Sequence, residues 1–133
     1  MTSILVRHAS AGDWREWDGD DRFRPLDARG RRQADQLVEL LRRFEVRRVV
    51  TSPYLRCVAT VEPLGTALGL VVEQDDRLAE GADGSGALQL LQEDGVVACT
   101  HGDVAAEVLG RGLKKGAAVV LRDGAVVERI KAP

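Results

Sequence analysis

The 133 residues predict an α/β domain of three layers: a mostly parallel sheet with helices on both faces and an antiparallel hairpin at one edge. Three features predict it. Short apolar runs alternate with amphipathic helical segments along most of the chain. Residues 96–100 form an apolar run, the pattern of a strand buried on both faces of a parallel sheet. Residues 117–121 and 125–130 are joined through Asp123-Gly124, a dipeptide suited to a two-residue hairpin turn.

Taken in order, residues 3–6 read as a buried strand that stops at Arg7-His8 and the turn-prone Ala9-Ser10-Ala11-Gly12. Residues 13–25 carry two tryptophans and the acidic cluster Asp18-Gly19-Asp20-Asp21 with no regular period, a long connection of the kind that tends to be functional. Asp27 caps a helix whose buried stripe is Ala34, Leu37, Val38, Leu41 and Phe44, while Arg31, Arg32, Asp35, Glu39 and Arg43 take its solvated side. Residues 47–51 follow as a second strand. Ser52-Pro53 reads as a helix start with proline at the first helical position, and residues 54–68 as its continuation with a kink at Pro63. A weak strand at 71–73, an acidic glycine-rich loop at 75–86 and a short helix at 87–92 precede the strand at 96–100. A helix from about Asp103 to Leu109 leads to the terminal hairpin. No linker or repeat divides the chain, so residues 1–133 are one domain.

With 44% hydrophobic and 30% charged residues, the composition is that of a globular domain and falls outside the disordered and membrane classes. The N-terminal segment has no basic leader and its apolar stretch is too short for a secretory signal, which predicts a cytoplasmic protein. Cys57 and Cys99 lie far apart without CxxC spacing, against a disulfide framework or a structural zinc site. A net charge of −2 argues against a general nucleic-acid binder. Sixteen of the 19 basic residues are arginine, and guanidinium forks match phosphate oxygens in pairs, so a local anion site fits this balance.

There are only two histidines, and each directly follows an apolar strand. In an open α/β sheet such carboxyl ends are where ligands bind. Arg56 lies one turn into the helix after a further strand, so Arg7, His8, Arg56 and His101 can converge. Four such donors in one pocket suit an anionic substrate, phosphate above all. Taken singly, each is a surface charge or a satisfied core residue; their joint placement at three strand ends raises them to a candidate site.

These residues also carry a family resemblance. Leu5-Val6-Arg7-His8-Ala9 resembles the Arg-His-Gly signature of the histidine phosphatase, or phosphoglycerate mutase-like, superfamily, with Ala9 in place of the glycine. Ser52-Pro53-Tyr54-Leu55-Arg56-Cys57-Val58-Ala59-Thr60 is similar to its Ser-Pro-x-x-Arg-x-x-x-Thr motif, and Thr100-His101-Gly102 to its third. The small size, the lack of a helical insert and the stretch from Arg24 to Gly30 resemble the compact SixA-type branch, named for phosphohistidine phosphatases, and also domains fused behind Nudix hydrolases.

The resemblance implies a phosphoglycerate mutase-like fold and a metal-independent phosphatase without cofactor. His8 would be the nucleophile, with Arg7, Arg56 and His101 holding the phosphoryl oxygens. It implies Glu80 as the acid for the leaving group, with Asp103 as its rival; the plainer readings are a solvated loop carboxylate and a helix cap. Arg24 is a candidate for the phosphate rim. Ser10 is a further candidate donor to phosphate, a turn role being equally open. Trp14 and Trp17 can wall a substrate or close over the core, and core packing is the expected role. The partner is a phosphorylated substrate, with no nucleic acid and no membrane: the leading expectation is phosphohistidine on a signalling protein, as in the SixA-type branch, and the alternative is a nucleotide or small phosphoester, as in the Nudix-fused domains. A weakly catalytic phosphate-sensing module is the alternative of another class.

Other phosphate chemistries fit poorly. Neither cysteine begins a Cys-x5-Arg loop, Asp18-Gly19-Asp20 follows no strand, and the basic run from Gly110 to Gly116 lacks the ending of a nucleotide P-loop and reads as a plain turn.

Overall fold

The computed structural model describes residues 1–133. Strands β1 (Thr2–Arg7), β2 (Arg48–Thr51), β3 (Val72–Gln74), β4 (Val96–Thr100), β5 (Ala118–Arg122) and β6 (Ala125–Ile130) form one sheet in the order β3-β2-β4-β1-β5-β6. The first four are mutually parallel, and β5 and β6 are antiparallel additions at the β1 edge. The turn between them places Asp123 and Gly124 at φ of 50° and 83°, both left-handed, which is what the Asp-Gly dipeptide predicts.

Alternation along the strands sorts two cores. Ile4, Val6, Val49, Val97, Cys99 and Val120 face helices α1 (Ala28–Leu41) and α2 (Leu55–Leu68). Leu5, Val50, Val96, Ala98 and Val119 face α3 (Ser85–Leu90) and α4 (Gly102–Leu109). The connection after β1 therefore leaves by one face, and the connection after its neighbour β4 by the other. This divergence opens a crevice at the carboxyl ends of the two strands, the switch point where open sheets hold ligands. No helix is long and apolar enough to cross a membrane.

Strand limits shift by a residue, the short helix spans Ser85–Leu90 rather than 87–92, and three further differences from the sequence reading bear on the site. Helix α2 begins at Leu55, after an extended Tyr54, because Ser52 and Pro53 are still in the turn off the sheet: Ser52 N–H donates to the Cys99 carbonyl, and Ser52 Oγ accepts from Tyr54 N–H. Pro53 is thus not the first helical residue, although the helix does run through Pro63. Helix α1 ends at Leu41, and Phe44 packs against the core from beyond its end. The long loop after β1 holds two short 3₁₀ turns, Trp14–Glu16 and Asp21–Phe23, each started by an aspartate that accepts a backbone N–H two residues on.

The segment after His8 is fastened to both α1 and α2. Asp27 caps α1 by accepting Gly30 N–H at 2.7 Å, and its other oxygen accepts Ser10 Oγ–H and Gly12 N–H. Gly30 is obligatory, since a β-carbon there would lie 1.9 Å from the Ser10 carbonyl oxygen. Thr60 Oγ1 accepts Ala9 N–H at 2.9 Å and donates to the Arg56 carbonyl, tying the backbone beside His8 to α2.

Candidate active site

The β1–β4 register pairs Arg7 with Thr100, so the next residues along, His8 and His101, are neighbours. Their ring centroids lie 5.5 Å apart, edge to face. His8 is 5% exposed, His101 1% and Arg56 1%. Arg56 reaches the same crevice from the first turn of α2.

His8 Nδ1 lies 2.8 Å from the Ala9 carbonyl. A carbonyl only accepts, so Nδ1 carries the proton and the lone pair is on Nε2. Burial lowers the His8 pKa to about 3, aided by His101, Arg56 and Arg7 and opposed by the Ala9 hydrogen bond. The ring is therefore neutral throughout the physiological range. Ala9 needs no glycine-only conformation, since Asp123 alone among non-glycine residues has a positive φ. The methyl in place of the signature glycine is buried without strain.

Arg7 Nη1 donates to the Leu113 carbonyl at 2.8 Å, and burial lowers the pKa of this guanidinium, with Asp103 opposing. Gly102 is what lets it lie there, because a β-carbon at that position would meet Arg7 Cζ at 2.7 Å. Arg56 is clamped by Asp21: Nη1 donates to its carbonyl at 2.8 Å and Nη2 to its carboxylate at 2.9 Å. Tyr54 packs edge-on to His101 at 4.8 Å and beneath the Arg56 guanidinium at 5.0 Å. Ser52 Oγ is 2.8 Å from His101 Nε2, and Cys57 Sγ is 3.5 Å from the same nitrogen. Cys57 and Cys99, remote in sequence, are both buried here as free thiols.

One observation sets this cluster apart. In the whole molecule only three buried side-chain polar atoms lack a hydrogen-bond partner: Arg7 Nε, Arg56 Nε and His101 Nδ1. Nearly all buried polar groups in proteins are satisfied. Here the exceptions fall on three of the four residues that converge.

The other candidates separate. Glu80 borders the cleft, 49% exposed, with its carboxylate 3.5 Å from Arg56 Nη2. Asp103 also borders it, and one of its oxygens accepts Gly81 N–H at 2.7 Å, fastening the loop that carries Glu80 to α4. Arg24 is buried at the rim, holding the loop together through Asp21 and the Ala11 carbonyl. Ser10 does not line the cleft; its hydroxyl proton goes to Asp27 at 2.7 Å, a turn role rather than a free donor. Core packing of the tryptophans is not what the structure has: Trp14 is 68% and Trp17 38% exposed, because the loop that carries them is anchored by arginine–aspartate pairs and buries neither ring.

Sequence reasoning missed three contributors. Asp21, inside the acidic cluster, clamps Arg56 and Arg24; partial burial would raise its carboxyl, but these two guanidiniums more than offset that and hold it below the ordinary carboxylate range. The run from Gly110 to Gly116, expected to be a plain turn, forms one wall: Gly112, Leu113 and Lys115 border the cleft, and Gly116 N–H donates to the carbonyls of Arg7 and His8. Tyr54 lies inside a recognised motif that gives it no role. The cleft occupies about 550 Å³.

The family model described as histidine phosphatase superfamily (branch 1) matches residues 3–86. The chain belongs to the histidine phosphatase superfamily. A curated relative, the 8-oxo-(d)GTP phosphatase of Mycolicibacterium smegmatis, is 38% identical over 111 residues, 77% of this chain and 34% of the relative. The chain thus spans about a third of that protein's length. Among solved structures, the protein histidine phosphatase SixA complexed with tungstate superposes with a TM-score of 0.80 at 23% identity, covering 98% of this chain and 96% of that one. A structure from Agrobacterium tumefaciens carrying the SixA name gives 0.77 at 20% identity, covering 98% and 97%. At these identities the likeness is one of fold.

Proposed function

We propose that this domain hydrolyses phosphate from its substrate through a phosphohistidine formed on His8 Nε2, with Arg7, Arg56 and His101 as the cradle for the phosphoryl oxygens. The observation that carries this reading is the set of three buried, unpartnered donors around an imidazole whose lone pair is free. A tetrahedral phosphoryl group offers three oxygens, and three fixed donors answer them.

The Nε2 lone pair of His8 attacks phosphorus in line, forming the N–P bond as the bond to the leaving-group oxygen or nitrogen breaks with its electrons. In this scheme Ser52 Oγ, which accepts Tyr54 N–H, donates its own hydrogen to His101 Nε2. The neutral His101 ring then carries its proton on Nδ1, the donor without a partner. Glu80 supplies the proton to the departing atom, standing beside Arg56 at the border of the cleft. Water then attacks phosphorus as the Glu80 carboxylate takes its proton, the N–P bond breaks with its electrons returning to Nε2, and orthophosphate leaves with Glu80 again protonated. The cradle neutralises the developing charge with fixed cations, so the scheme includes no metal.

For the substrate, we place a nucleotide first: the 38% identical relative carries a nucleotide activity in its name, and two indoles are exposed beside the cleft. Phosphohistidine on a signalling protein, as in SixA-type enzymes, is the second reading, favoured by the exposed rim. The test is hydrolysis of a generic aryl phosphate by the wild type and by His8→Ala. Turnover by the wild type and none by the variant is expected. Equal turnover by both would remove His8 as nucleophile, and none by either would favour a phosphate-sensing module.

A further inference from the structure

We infer that the hollow framed by Trp14 and Trp17 is a nucleobase site that sets the leaving-group preference of the adjoining phosphate cleft; this rests on the phosphatase reading above and deepens it. The hollow measures about 630 Å³, within the usual size of a small-molecule site. Trp14, Arg24 and Glu80 border both it and the phosphate cleft, so the two are one continuous depression with Glu80 at the junction. A group released from phosphorus past Glu80 would therefore lie between the tryptophans.

The two tryptophans are the only ones in the chain, and both stand exposed on this one loop. Large exposed aromatics set together mark a contact site more often than chance surface. The loop is also rigidly built. Trp17 Nε1 donates to the Asp20 carbonyl at 3.0 Å, which fixes the indole, and Arg24 and Arg56 both hold Asp21. Gly19, at φ 132°, lets the chain double back beside that indole without a side chain. An indole held in place in advance, as that of Trp17 is, loses little freedom when a flat ring stacks on it.

The polar complement matches a nucleotide. Arg15 and Arg24, already paired with Asp13 and Asp21, border the hollow with their remaining N–H groups, and the carboxylates of Asp21 and Glu80 border it too, so donors and acceptors for the edge of a purine are both present. Lys115, which makes no ion pair, adds a cation across the cleft.

Because both fluorophores are in the hollow, intrinsic tryptophan fluorescence reports on it directly. GDP and GMP are expected to quench the emission with saturation, while ribose 5-phosphate and inorganic phosphate leave it unchanged. The ratio of kcat/KM for GDP to that for phosphoramidate should fall about tenfold or more in Trp17→Ala, and similarly in Trp14→Ala. Circular dichroism checks that both variants are folded. In His8→Ala the quench should persist although hydrolysis is lost. Quenching by ribose 5-phosphate equal to that by GDP, or an unchanged ratio in both variants, would overturn the nucleobase site. The phosphatase reading would then survive on the aryl phosphate result alone. Conversely, a saturable quench by GDP with no hydrolysis of any phosphate by the wild type would uphold base binding in the hollow and overturn its role in leaving-group preference together with the phosphatase reading.

Discussion

Two regions of the crevice, the quartet at the strand ends and the loop of residues 13–25, are built in opposite ways. Arg7, His8, Arg56 and His101 are set by strand register, helix starts and buried hydrogen bonds, with partners spread over the whole chain. The loop has no buried residue in either of its 3₁₀ turns and is shaped by short aspartate–arginine pairs two or three residues apart. The difference fits the proposed division of tasks. Transition-state donors must not reorganise and belong on a packed scaffold, whereas substrate selection can sit on a loop that varies at little cost to stability. Asp21 joins the two, bonded to Arg56 on one side and Arg24 on the other.

The sharpest division between the regions is expected in turnover. His8→Ala removes the nucleophile and should lower kcat by roughly 10⁴-fold or more, read in a steady-state assay. Arg56→Ala removes one cradle donor and should lower kcat by about 10²- to 10³-fold. If the variant instead raises KM alone, the guanidinium binds the ground state and the cradle account is wrong. Gly102→Ala puts a β-carbon against Arg7 Cζ, and on the order of a tenfold loss of kcat is expected from the displaced guanidinium. A fully active Gly102→Ala enzyme would show that the Arg7 position is not critical.

Smaller effects are expected in stability. Thr60→Val leaves the buried Ala9 N–H without its acceptor, a cost of about 1–3 kcal/mol that a urea melt would register as a lower midpoint. His8 titrates near 3 when folded and near 6.5 when unfolded, so below pH 6.5 the unfolded chain binds a proton that the folded one refuses. Stability from this group is fully present above pH 6.5 and is lost progressively as the pH falls toward 3. The slope over that window should be shallower in His8→Gln, and an unchanged slope would mean that the imidazole is not held neutral by burial.

What the sequence reveals divides along the same line. The strand ends, the Asp-Gly hairpin and the quartet are carried by local patterns: apolar runs, a turn dipeptide, motif spacing. The clamp of Asp21 on Arg56 spans 35 positions and obeys no period, so nothing adjacent to Asp21 announces it. The wall from Gly110 to Gly116 is tied to Arg7 and His8 through backbone carbonyls and N–H groups, for which residue identity carries no signal. Ser10 resembles a phosphate donor because it lies close to His8 in sequence, yet Asp27 takes its proton. Apolar bulk usually goes inside, which is why hydropathy places the tryptophans there; arginine–aspartate pairs, invisible to hydropathy, hold their loop open.

The central claim is that the phosphoryl group passes through His8. Rapid acid-free quenching of a reaction with excess phosphorylated substrate, followed by peptide mass spectrometry, tests it most directly. An acid-labile adduct of one phosphoryl group on His8, absent from His8→Ala, is the predicted result. Full turnover with no adduct, or an adduct on any other residue, would contradict it.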